Sequence, residues 1–367
     1  MPSILLRRDD VIVGVDTHKD QHVAVALDGL GGKLAEIIIP ATAPGYAQLL
    51  AFSLDHLGPD GRIQAFGVEG TGSYGIGLAR FLRRHGHKVQ EVHRPPRKGE
   101  RRLAGKNDTI DAEHAARQIL AGGTGAVPKT ADGSIEAIRL LKVTRDTAVK
   151  ARSTAMITLK ATLVTAQDRL RAELEPLTAY KLIEACAALP AGPSLADPDT
   201  AMRHALGTLA RRWLYLHAEI KLHSAHLKAQ TKAAAPRLVE AFGIGLDIAA
   251  EMLITAGDNT DRIRSEAAFA KMCGACPIPA GSGKTNGRHR LNRGGNRQAN
   301  AALYRTIIVR MRWHQPTIDY VNRRTAEGLS KREIIRCLKR YLAREIYHLL
   351  PDAAVATPAE RQLQKAA

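Results

Sequence analysis

Cysteine is scarce: Cys186, Cys273, Cys276 and Cys337 are the four in 367 residues, too few for a disulfide framework in a chain of this size. Cys273-Gly-Ala-Cys276 has the spacing of half a zinc site, and His289 follows at a finger-like distance. No second histidine stands at positions 293 to 295, so the pair reads as two partly buried thiols before a loop. No apolar run approaches the roughly 20 residues that cross a bilayer. Arg7-Arg8-Asp9-Asp10 interrupts the N-terminal candidate for a signal sequence, which sets the expectation of a cytoplasmic protein without a membrane partner. Gly283-Lys284-Thr285 copies the end of a nucleotide-binding loop, but the glycine required five positions earlier is Ile278, between Pro277 and Pro279. That argues against a nucleoside-triphosphate loop.

Acidic residues are also in deficit, 36 against 54 Lys and Arg, for a net charge of +18 and a pI near 10.0. The balance points to a polyanion such as nucleic acid. Hydrophobic residues make up 45%, enough for two or three domains with cores of their own.

Val11 to Asp16 reads as a buried strand ending in a carboxylate, with further strands at His22 to Leu27 and Lys33 to Ile39 separated by Gly-containing turns. A helix over Pro44 to Leu57, a strand over Arg62 to Glu69, a helix over Tyr74 to His85 and a strand over Lys88 to Val92 follow. Three strands in hairpins and then alternating helix and strand describe a ribonuclease-H-like mixed sheet better than a doubly wound dinucleotide fold. The basic segment from His93 to Lys106 contains Arg94, Arg97, Lys98, Arg101, Arg102 and Lys106, a candidate nucleic-acid contact. Asn107 or Asp108 caps a helix whose first turn holds Asp108 and Asp111 on one face. Capping and dipole compensation alone would explain acids there. With Asp16 and Glu69 ending neighbouring strands, however, four carboxylates converge, and they would repel one another unless divalent cations neutralised them. Two magnesium ions about 3.5 to 4 Å apart are the cargo such a set suits, for phosphodiester transfer.

A Gly, Thr and Ala linker closes this region. Ile135 to Leu174 reads as one long helical stretch, interrupted by Pro190 to Pro198 before a second. There Met202, Leu206, Leu209, Trp213, Leu216, Ile220, His223 and Leu227 step by four and three in a heptad seam, a coiled coil whose partner is either the preceding helix or another copy of the chain. A helical hairpin around Phe242-Gly243-Ile244-Gly245 precedes the Gly281 to Arg297 loop, and helices over Asn296 to Trp313, Thr317 to Glu327 and Lys331 to Leu350 end the ordered part.

Val13-Gly14-Val15-Asp16-Thr17-His18-Lys19, Val68-Glu69-Gly70-Thr71-Gly72-Ser73-Tyr74 and Gly105-Lys106-Asn107-Asp108-Thr109-Ile110-Asp111-Ala112 resemble the DEDD transposases of the insertion sequence 110 and 1111 group. Ser282-Gly283-Lys284, Gly287-Arg288 and Arg293-Gly294-Gly295-Asn296-Arg297 resemble that family's second signature. The resemblance implies a RuvC-like domain over residues 1 to 125, a coiled-coil helical arm over 126 to 235, a mostly helical transposase domain over 236 to 350 and a flexible tail over 351 to 367. It implies Asp16, Glu69, Asp108 and Asp111 as magnesium ligands and Ser282 as the nucleophile that attacks a DNA phosphodiester. Lys284, Arg288, Arg290, Arg293 and Arg297 would steady the phosphate, and His289 is a candidate proton acceptor. Donor and target DNA, a structured guide RNA carrying the sequence choice and further copies of the chain in a dimer or tetramer are the implied partners, with the nucleoid as the place of work. The competing functions are a water-using nuclease or junction resolvase, an actin-like kinase and a non-catalytic scaffold.

Overall fold

The computed structural model describes residues 6–92, 107–122, 125–190, 192, 194–281, 283, 289–292 and 294–351. The chain divides into two compact units, Met1–Thr130 and Ala131–Ala367.

In the first unit β1 (Val11–Thr17), β2 (Gln21–Asp28) and β3 (Lys33–Pro40) form an antiparallel meander. After α1 (Ala43–Asp55), β4 (Ile63–Val68) pairs parallel to β1. After α2 (Ile76–Arg84), β5 (Val89–Glu91) pairs parallel to β4. The strand order is β3-β2-β1-β4-β5, the mixed ribonuclease-H-like sheet expected from the sequence. Every residue of β1 is buried, because the strand is covered on both faces. Val11, Val13 and Val15 pack with Phe66, Val68, Leu49, Leu78 and Leu82 on the side of α1 and α2. Ile12 joins Val23, Val25 and Leu27 against Ala112 and Ala116 of α3 (Asp108–Leu120) on the other.

Glycine and alanine set how close α3 comes. A Cβ on Gly14 would lie 2.0 Å from the Ala112 carbonyl oxygen and 2.3 Å from the Ala116 nitrogen, and one on Gly67 would lie 2.8 Å from the Ala115 carbonyl oxygen. The helix therefore rests main chain to main chain on the centre of the sheet. Asn107 caps it by accepting from the Thr109 N–H.

In the second unit α4 (Ser134–Val164) and α7 (Pro198–Ala234) lie side by side. Arg145 donates to Ser224, and Arg152 stands 2.9 Å from His217, so the pair runs antiparallel. The partner of the α7 seam is thus the preceding long helix. Leu206, Ile220 and Leu227 of the seam are buried, while His223 stands 3.7 Å from Glu219 of its own helix. The expected single stretch to Leu174 is instead broken after Val164, where the Thr165 hydroxyl bonds the Thr162 carbonyl. The break turns α5 (Asp168–Leu174) and α6 (Ala179–Ala187) back, so that Leu170, Leu174, Leu182 and Ile183 pack with Leu159, Leu163 and Leu206. Two more helices exist here than the sequence periodicity indicated, because burial of these leucines outweighs helix continuity.

The other end of the α4–α7 pair enters the core of α8 (Pro236–Glu240), α9 (Leu246–Ala256), α10 (Glu266–Met272), α11 (Arg297–Trp313), α12 (Gln315–Ala326) and α13 (Lys331–Leu349). Arg310 ties this core together, with two bonds to the Glu345 carboxylate at 2.6 and 2.7 Å and one to the Phe242 carbonyl. Where the prolines argued against a strand, β6 (Pro277–Pro279) pairs antiparallel with β7 (His289–Leu291). A two-stranded ribbon has free edges on which a residue without an N–H is tolerated. No helix among the described residues is long and apolar enough to cross a membrane.

Candidate active site

Alternation along β1 turns Ile12 and Gly14 towards α3, and the same period carries Asp16 to that face at the carboxyl end of the strand. Val15 pairs with Val68. The Glu69 N–H bonds the Val15 carbonyl at 3.1 Å, and the Thr17 hydroxyl bonds the Glu69 carbonyl at 3.0 Å. Glu69 is thereby pinned beside Asp16 by the ladder, on the side to which Gly67 faces. Gly70, with φ +60°, turns the chain away immediately afterwards. Asp16 and Glu69 are 7% and 6% exposed, depths at which carboxylates are uncommon without a partner.

The first turn of α3 brings Asp108 to the same place. The His18 Nε2 lies 3.2 Å from Asp16 Oδ2 and 3.4 Å from Asp108 Oδ2. Ligand atoms of these three side chains all fall within 4.8 Å of one another. The Asp16 carboxyl is held above its ordinary range, first by burial, with His18 opposing and the Asp108 and Asp111 charges adding repulsion. The fit to a hard divalent cation rests on donor chemistry: carboxylate oxygens converge at the carboxyl end of the central strand.

Asp16 and Asp108 are thus brought together and Asp111 is close enough for its charge to act on Asp16. Glu69 is adjacent to Asp16 along the sheet, outside the three-residue cluster. The sequence reading passed over His18 as a site residue. Its signal was weak, a lone histidine two positions after Asp16, and only the return of α3 gives it a second carboxylate.

In the second unit Arg290, on β7, and Arg297, at the start of α11, are exposed and border one open cavity. Ser282, Lys284, Arg288 and Arg293 lie outside the described residues, as do Arg94, Arg97, Lys98, Arg101, Arg102 and Lys106. Cys273 is fully buried and its thiol is pushed up to about 12 by burial, which leaves it protonated.

Two family profiles match the chain. One, described as a transposase of the DEDD type of IS110, matches residues 13–167, and the other, described as the transposase IS116/IS110/IS902 family, matches residues 235–322. Among curated relatives, an uncharacterized 42 kDa protein of insertion element IS900 from Mycobacterium paratuberculosis is 27% identical over 117 residues, 32% of this chain and 29% of that protein. An uncharacterized 43.6 kDa protein of insertion element IS110 from Streptomyces coelicolor is 26% identical over 147 residues, 40% of this chain and 36% of that protein. The matched stretches span about a third of each relative's length. With the ribonuclease-H-like sheet, the carboxylates that meet at the end of its central strand and both family profiles in order along the sequence, the chain belongs to the IS110 family of transposases.

Proposed function

We propose that this protein cuts and rejoins DNA strands as the recombinase of an insertion sequence, with Ser282 as nucleophile and Asp16, Glu69, Asp108 and Asp111 as ligands of a two-magnesium centre. The observation that carries the reading is the meeting of Asp16 and Asp108 at His18 from a strand end and a helix start. The four carboxylates would hold the cations, which would supply Lewis-acid stabilisation of the charge that develops on the phosphate and the leaving oxygen. In the serine step the Ser282 Oγ–P bond forms and the P–O3′ bond breaks. The serine proton passes to a base, for which His289 on β7 is the nearest candidate along the chain, and the departing oxygen takes up a proton as a 3′-hydroxyl. The phosphoserine link conserves the energy of the broken phosphodiester, so that a second 3′-hydroxyl can displace the serine and reseal DNA.

The same reading assigns the RuvC-like part to residues 1–125, an arm to 126–235 and the serine-bearing part to 236–350. It also assigns a structured guide RNA that chooses sequence by pairing, and further copies of the chain. The excess of basic residues, 54 against 36, supports binding of both polymers.

The test is a covalent trap. Full-length protein is incubated with magnesium, labelled DNA carrying the element's ends and RNA transcribed from the sequence beside the gene, then resolved under denaturing conditions. A protein-linked DNA band is expected, absent in Ser282→Ala and in Asp16→Asn. Cutting that persists in Ser282→Ala without any linked band would replace the serine mechanism by water attack. Recovery of activity on mixing the two inactive variants would support catalysis shared between copies.

A further inference from the structure

The cavity bordered by Arg290 and Arg297 has a third arginine, Arg336 from α13, and a volume of about 480 Å³. Its other polar walls are Asn292 and Asn300, and no acidic side chain among the described residues lines it. Among the described residues no carboxylate pairs with any of the three guanidinium groups, whereas Arg340 and Arg344 on the same helix are both held by Glu266. Arg297 opens α11, a helix of 17 residues with no acid in its first turn, so a cation stands at the positive end of a helix, where an anion would be stabilised.

Lys339, one turn beyond Arg336 on α13, is an independent second sign. It is 9% exposed, its ammonium donates to Asn300 Oδ1 at 2.7 Å and lies 5.3 Å from the centre of the Tyr304 ring. Among the described residues no carboxylate pairs with it. Its bond orients Asn300, whose amide in turn donates to the Cys273 and Gly274 carbonyls, so a buried cation stands directly behind the cavity wall. Burial holds Lys339 below the usual lysine range, the response of an ammonium with no counter-charge. The cavity floor is bare main chain: a Cβ on Gly295 would lie 2.1 Å from the Gly274 nitrogen, and Gly274 adopts φ +63°.

We infer that this cavity seats a backbone phosphate of a DNA strand, held by Arg290, Arg297 and Arg336, with Lys339 as positioning residue behind Asn300. Three unpaired guanidinium groups over a glycine floor match a phosphodiester, which accepts several charge-assisted hydrogen bonds at once. DNA is the favoured source because β7 is the returning strand of the hairpin whose connection carries Ser282, so the phosphate would be seated next to the proposed cleavage loop. The choice of DNA rests on the proposed function, whereas the anion chemistry does not.

The experiment is fluorescence anisotropy of full-length protein with labelled eight-nucleotide oligothymidylate and oligouridylate, in chelator, over a salt series. Arg336→Gln is expected to weaken DNA binding about tenfold and to flatten the salt dependence by about 0.7, with the melting temperature unchanged. Arg171→Gln, which removes an exposed arginine already paired with Glu175, should leave both unchanged. Equal DNA affinity and salt slope in Arg336→Gln and wild type would overturn the inference, and so would a loss seen with the RNA oligomer only. Ser282→Ala belongs in the same titration. Normal binding by that variant with a loss in Arg336→Gln supports the cavity whatever the outcome of the covalent trap, while a linked band formed equally by Arg336→Gln, with normal DNA binding, removes the cavity alone.

Discussion

The two candidate sites have opposite faults. At the carboxyl end of the central strand Asp16, Asp108 and Asp111 hold negative charge against one histidine, and burial raises the Asp16 carboxyl. Beside β7 three arginines and a buried lysine hold positive charge against no acid. The first set of groups suits a cation and the second an anion. Their construction differs as well. The carboxylates are fixed by strand register and by a helix resting on bare main chain, so their spacing is a property of the fold. The arginines are exposed on a short hairpin and two helices, so their cavity is defined by charge more than by shape.

The comparison is broken most severely at Asp16. Asp16→Asn should reduce strand cutting by on the order of 10³-fold or more and abolish manganese binding followed by calorimetry, while oligothymidylate binding in chelator stays at the wild-type level. Loss of both together would mean that the two sites are not separate. His18→Gln should lower manganese affinity by about 10–100-fold, the size expected when a group that orients ligands is lost. Unchanged affinity would reduce His18 to a bystander. Gly14→Ala should cost about 1–3 kcal/mol in urea denaturation and also weaken metal binding, because α3 and Asp108 must move together.

The smallest effect belongs to Lys339. Its folded value lies below the ordinary 10.5, so the folded protein binds fewer protons than the unfolded chain between those two values, and this group adds stability as pH rises through that window. Below the window the cost of the buried charge is present in full. The stability difference between wild type and Lys339→Met should therefore move in favour of wild type, by under about 1 kcal/mol, on going from about pH 7 to about pH 10. A difference independent of pH would mean that Lys339 carries no unrelieved charge.

The first unit was legible in sequence because its signals are local: apolar runs of strand length, glycine turns between them and Asn107 as a cap. The meeting of Asp16 with Asp108 was legible for the same reason, since one stands where a strand ends and the other where a helix begins. Positions that depend on a return of the chain were not. Thr165-Ala166-Gln167 carries no strong helix breaker, and only the packing of Leu170 and Leu174 onto Leu159 explains the turn. The Pro277–Pro279 strand conflicts with every local preference and exists because β7 supplies the partner. His18 and Arg336 are single residues in polar surroundings, and their neighbours come from Asp108 and from β7.

Gly14 has a genetic consequence. A methyl there would meet the Ala112 carbonyl oxygen and the Ala116 nitrogen, atoms that every amino acid carries. Shortening the facing side chain therefore cannot relieve the clash, and a suppressor screen on Gly14→Ala should return revertants to glycine far more readily than second-site changes in α3. The distance between two acids far apart in sequence is kept by a residue that has no side chain to mutate around.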